Sequence, residues 1–169
     1  DVEFSGDPCL LIGFAVPACS HEDTAALEIL AEILGGGESS RLHALVVAPA
    51  LARTAGAWFG PGARRERLLL IRAEPVDWAA AERVQAAVWA ECEGVSRQAP
   101  AAAELERARS MRRAKLLAEL SSNLGLAQQL AQGQALDGDW LKRLARWEAL
   151  SLVTAEAVRR AAQRYLKTS

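Results

Sequence analysis

The apolar residues change period at Pro75, and no other feature constrains the fold as strongly. Before it lie extended runs. Cys9-Leu-Leu-Ile-Gly-Phe-Ala-Val16, closed by Pro17, has the length of a buried strand. Residues 50–59 are small and apolar and end in Ala57-Trp58-Phe59. Leu68-Leu-Leu-Ile-Arg-Ala73 follows, closed by Pro75. These two runs flank Gly60-Pro61-Gly62, so they predict a hairpin whose tip carries Arg64, Arg65 and Arg67. After Pro75 every apolar segment has helical spacing.

Two helices separate the first run from the hairpin. Ser20 with Asp23 three residues on predicts a capping box, and Ala26, Leu27, Leu30, Ile33 and Leu34 recur along one face. Gly35-Gly36-Gly37 ends that helix. Ser39 or Ser40 caps a shorter one with Leu42, Leu45 and Val46, which Pro49 stops. Beyond the hairpin a helix is predicted from Asp77 to Cys92, with Val84, Ala87, Val88 and Cys92 inward, then a break over Gly94–Pro100. A second starts near Ala101 with Leu105, Ala108, Met111, Leu116 and Leu120. Ser121-Ser122-Asn123 interrupts it before Leu124–Leu136. Asp137-Gly138-Asp139 is a turn and cap ahead of Trp140–Leu150. Thr154 caps a last helix carrying Val158, Ala161, Ala162, Tyr165 and Leu166. The order implies an α+β fold, a small and mainly antiparallel sheet with helices packed on one face. At 169 residues the chain is one domain, large enough to fold without a disulfide or a metal.

Charge is unevenly placed. Residues 1–50 hold eight acids against one base, Arg41, although the whole chain sums to −1. That balance argues against general nucleic-acid binding, and the asymmetry points either to a partner-facing side or to two solvated faces. The basic series Arg107, Arg109, Arg112, Arg113 and Lys115 reads as the solvated side of a helix or as the lining of a cavity for an acidic partner. No apolar run has the length of a membrane span, and the opening Asp1-Val2-Glu3 has neither the basic start nor the apolar core expected of a signal peptide.

Chemistry is scarce. There are two histidines, His21 and His43, and three cysteines, Cys9, Cys19 and Cys92. His21, Glu22 and Asp23 are sequence neighbours and diverge around a helix. Neither His-x-x-Glu-His nor its reverse occurs. Ser39 and Ser40 follow a helix, not the strand a nucleophile elbow needs. The glycine triplet lacks the lysine of a phosphate loop. The five tryptophans do not cluster and read as core or rim packing. From the residues alone no catalytic or metal-binding residue is assigned.

A spaced series goes further. Leu11-Ile-Gly-Phe-Ala-Val-Pro17, Asp23-Thr-Ala-Ala-Leu27, Ile33-Leu-Gly-Gly-Gly37, Ser39-Ser-Arg-Leu42, Leu51-Ala52, the hairpin and Val153-Thr-Ala-Glu-Ala-Val158 occur in that order. Together they resemble the carboxy-terminal domain of the pitrilysin/insulinase family of zinc peptidases, shared with mitochondrial processing peptidase and cytochrome bc core subunits. The resemblance implies a chamber built from homologous domains. Zinc would sit in the amino-terminal copy or a paired subunit, and this copy would be inactive. Its implied role is to form a chamber wall and hold unfolded peptide, with a homologous domain of the same chain or a paired subunit as its partner.

Family members that act on peptide also use an arginine and a tyrosine, seven apart, after the Ser-Arg-Leu helix. Those positions read Val47 and Thr54 in one register and Val46 and Arg53 in the other, so neither gives the pair. Arg41, His43 and Arg53 are the candidate substrate-binding residues. Residues 1–169 are expected to be a single non-catalytic domain, excised from a longer chain that dimerises and lacking a terminal strand, which would leave a sheet edge unpaired. Two alternatives stay open: a structural assembly subunit resembling the respiratory core proteins, and an unrelated α+β interaction module. The compartment also stays open between bacterial periplasm and cytoplasm.

Overall fold

The computed structural model describes residues 6–60 and 64–167, with the side chains of 137 and 142–147 set aside. Three strands, β1 (Leu10–Val16), β2 (Ala52–Phe59) and β3 (Arg67–Pro75), form one sheet in the order β1-β3-β2. Both pairings are antiparallel, with Ile12 opposite Ile71 and Trp58 opposite Leu70. The predicted hairpin is therefore present, and its Pro61 and Gly62 lie outside the described residues. Strict alternation makes the sheet two-faced. Ile12, Phe14 and Val16 of β1 and Leu69, Ile71 and Ala73 of β3 all point inward and are buried.

α1 (Thr24–Gly35) is the central helix and buries most of its length, including Leu27, Ile29, Leu30 and Leu34. It packs on β2 and against α3 (Ala102–Leu120) and α6 (Ala155–Tyr165). α2 (Trp78–Arg97) lies against β3 and α6. α4 (Asn123–Gln132) and α5 (Trp140–Leu152) complete the helical side. Asp77, Ser122, Asp139 and Thr154 each cap a helix by accepting a backbone N–H.

Four local expectations are corrected. Ser20 does not cap α1: Asp23 precedes the helix without a side-chain cap bond, and Thr24 Oγ1 instead donates to the Ala18 carbonyl. α2 does not break at Gly94. It runs to Arg97 because Val95, one residue further, is fully buried against the core. Of the tryptophans, Trp89 stacks edge-on against Phe14 at 5.7 Å, but Trp58, Trp78 and Trp140 are exposed. The short helix after Ser40, which caps it through the His43 N–H, widens into a π-type turn at His43–Val47.

The charge asymmetry is largely satisfied within the chain. Glu28 of α1 pairs with Arg112 of α3 at 3.2 Å, and Glu32 pairs with Lys115 at 2.7 Å. Arg164 reaches Asp23 at 3.1 Å. The acidic amino-terminal helix thus meets the basic series of α3 face to face.

Candidate functional site

Helices cover one face of the sheet, leaving its other face and the outer edges of β1 and β2 unpaired among the described strands. The open face carries apolar side chains beside one ion pair, Arg72 with Glu74 at 2.6 Å. Leu11 is 60% exposed, Trp58 42% and Leu68 40%. Gly13 has no side chain to cover its neighbours, and Leu68 and Leu70 lie over it. Such a contiguous exposed patch marks a surface that meets something.

The β2 edge is shaped by close backbone approach. A Cβ on Gly35 would lie 2.5 Å from the Gly56 carbonyl carbon and 2.8 Å from its Cα, with the Ala57 nitrogen nearer still. Only glycine lets the end of α1 sit directly on β2. Gly37 then turns the chain with φ +104°, a left-handed conformation that favours glycine. The glycine triplet therefore places α1 beside the strand in addition to ending the helix. Sequence alone signals the turn but not the contact with Gly56.

The three candidate residues do not form one cluster. Arg41 is part-buried and tied between helices: Nε and Nη2 donate to Glu104 at 2.6 and 2.7 Å, and Nη1 donates to Glu91 at 2.9 Å. The Glu104 bonds hold the guanidinium above its ordinary pKa against the opposing effect of burial, and the same bonds hold the Glu104 carboxyl below its own. Arg41 so placed joins α2 and α3 to the segment after the glycines. His43 is half-buried on the following turn. Arg53 lies elsewhere, at the start of β2, where Nη1 donates to Asp7 at 2.8 Å and Nη2 to the Val76 carbonyl at 3.3 Å.

Among the described residues no three of His, Cys, Asp and Glu converge to hold a metal ion. His21 has Asp23 at 3.7 Å, and its Nδ1 already accepts the Asp23 N–H. Cys92 is enclosed, and burial pushes its thiol up to about 12. Among the described residues these donors do not come together as a zinc site. Among the described residues no helix is long and apolar enough to cross a membrane.

Residues 5–112 match the family model described as the peptidase M16 inactive domain. The chain belongs to that family. No curated protein matches it. Among solved structures, it is similar to a protease from Helicobacter pylori, with TM-score 0.85 and 26% identity over 94% of this chain and 38% of that one. The inactive peptidase domain from Bordetella parapertussis superposes with TM-score 0.83 at 23% identity, covering 98% of this chain and 88% of that chain. A chain of complex III2 from Candida albicans gives TM-score 0.79 at 16% identity, over 94% of this chain and 40% of that one. The last two likenesses show the fold. The M16 inactive domain here spans well under half of the Helicobacter chain.

Proposed function

We propose that this domain is a non-catalytic wall of a larger zinc peptidase chamber and holds an extended, unfolded peptide while a homologous domain cleaves it. The carrying observation is the half-covered sheet: a β2 edge laid open beside the glycine turn, adjoining an apolar face of Leu11, Trp58 and Leu68. An extended chain adds to such an edge through main-chain hydrogen bonds, which are indifferent to sequence, while alternate side chains rest on the face. Zinc would be held by the homologous domain, of the same chain or a paired subunit, and would there polarise the scissile carbonyl and activate water.

The purified chain tests this. It is expected to bind a reduced, unfolded polypeptide without cleaving it and to hold zinc at far below one equivalent. Stoichiometric zinc or cleavage by this chain alone would refute the reading.

A second reading, an assembly subunit like the respiratory core proteins, is favoured by the exposed Leu124 and Leu126 on α4 and Trp140 and Leu141 on α5. It predicts stable association with a homologous domain and no affinity for unfolded peptide.

A further inference from the structure

Glu32 is the most enclosed carboxylate among the described ion pairs. Its side chain is 7% exposed, yet that of its partner Lys115 is 49% exposed. The Lys115 Nζ donates to both carboxylate oxygens, at 2.7 and 2.8 Å. A Cβ on Gly36 would lie 2.6 Å from the Glu32 carboxyl carbon, so the glycine makes room for this group at the end of α1. Acid and base therefore differ in freedom. The carboxylate is fixed on the central helix, and the ammonium reaches it on a flexible stem from the solvent side.

The pair borders a small cleft of about 170 Å³. Ala31 and Glu32 of α1 and Lys115 of α3 face Ala57 and Phe59 of β2 across it. The cleft opens on the free edge of the sheet. Gly60 N–H donates to the Leu68 carbonyl at 2.8 Å, which sets the phase of the ladder. Trp58 and Gly56, in step with Gly60, turn their main chain toward β3, and Phe59 and Ala57 turn theirs away from it. The groups that an added strand would pair with thus belong to the same two residues that border the cleft. Such a strand alternates its side chains, and those on the helix side of the sheet enter the cleft.

Side chains of different charge fare differently there. An apolar one leaves the pair of Lys115 and Glu32 in place. An acidic one brings a second carboxylate beside Glu32, and like charges repel strongly in an enclosed site. A cationic one can replace Lys115, because the displaced ammonium swings into water while Glu32 keeps a cation. A carboxylate this enclosed is costly to leave unpaired. A guanidinium replaces it best, with two parallel N–H donors for the two oxygens. The neighbouring pair, Glu28 with Arg112, lacks this freedom, since its side chains are 13% and 25% exposed.

We propose that this cleft is a subsite for a basic peptide side chain, arginine above all, with Glu32 as its carboxylate and Lys115 as the internal cation that holds the place until peptide arrives. This inference rests on the reading of β2 as the peptide-pairing edge. It adds a substrate class, peptides with a base at a set position, and a competing contact built into the domain.

The probe is a labelled ten-residue peptide rich in Val and Thr, acetylated and amidated. It is made neutral and with a single Arg, Lys or Glu scanned through its central positions. Affinity for the 169-residue chain is measured by fluorescence anisotropy at low and moderate salt. At its best position the arginine form should bind about fivefold tighter than the neutral form, with a smaller gain for lysine and a loss for glutamate, and salt should shrink the gain. Glu32→Gln should bring the arginine form down to the neutral one. Lys115→Met should tighten the arginine form about twofold to threefold by removing the competitor. The double variant, Glu32→Gln with Lys115→Met, leaves neither charge unpaired and should show no preference, with circular dichroism confirming that it folds. If all forms bind alike, if glutamate is preferred, or if Glu32→Gln weakens the arginine and neutral forms by the same factor, the subsite is overturned and edge pairing stands. If no form binds, edge pairing itself is overturned, and the subsite with it.

Discussion

One substitution made at two glycines should give opposite results, and the reason lies in the packing of α1 on β2. At Gly35 an added methyl meets backbone, 2.5 Å from the carbonyl carbon of Gly56. Carbon atoms rest at about 3.5–4.0 Å, so helix and strand must separate locally by roughly 1 Å. Neither side can yield through a rotamer, because the obstacle is main chain on a paired strand. Overpacking of this kind costs about 1–3 kcal/mol, and a rigid backbone puts Gly35→Ala near the upper end, about 3 kcal/mol. At Gly94, inside α2, a methyl meets nothing within 4 Å. There only helix propensity acts, and alanine gains about 0.8 kcal/mol. Urea and thermal unfolding followed by far-UV circular dichroism measure both. For a domain of this size the midpoint temperatures should move down by about 6–12 °C for Gly35→Ala and up by about 2–3 °C for Gly94→Ala. A loss below 1 kcal/mol at Gly35, or a clear loss at Gly94, would refute the close-approach argument.

Other substitutions follow the same logic. Ala50 has φ +58°, so Ala50→Gly should raise stability by about 0.5–1 kcal/mol in the same unfolding assay. Arg41→Met leaves Glu104 and Glu91 part-buried without their cation and should cost about 2 kcal/mol, unlike Arg53→Met, which should change stability by under 0.5 kcal/mol. Glu104 is held below its ordinary value near 4.5 by Arg41. The stability it contributes is therefore present above that pH and is lost as pH falls through the lowered value, which an acid titration of the urea midpoint should show and Arg41→Met should remove. Burial pushes Tyr165 up to about 12, aided by its 2.7 Å bond to Asp23, and burial, with the nearby charge of Glu91, pushes Cys92 up to about 12. Both groups thus stabilise the fold fully below about pH 9, and that stability should decline as pH rises toward 12.

The strands and most helices were legible because their signals are local. Alternation in β1 and β3, the Thr154 and Asp139 caps and the 3.6-residue period of α1 need no tertiary information. The errors arise where tertiary packing overrides a local preference. Gly94 and the polar residues after it predict a break, yet burial of Val95 keeps α2 helical. Ser20 and Asp23 have the spacing of a capping box, but the turn before α1 is held by Thr24 and His21 instead. The acidic and basic halves read either as a partner-facing side or as two solvated faces because sequence does not reveal that α1 and α3 lie side by side. Within the candidate site, the arginines were visible as residues but not as different environments. Only the fold distinguishes Arg41, enclosed by two glutamates, from Arg53 on a bulge. The Gly35–Gly56 contact joins residues far apart in sequence, and no local pattern signals it.

The central claim is that the open edge of β2 receives an extended peptide. Backbone amide hydrogen exchange, read residue by residue in the chain with and without an unfolded peptide, tests it most directly. The account predicts slowed exchange at alternate amides of Ala52–Phe59, those pointing away from β3, with α4 and α5 unchanged. Protection confined to α4 and α5, or no change along β2 at saturating peptide, would contradict it.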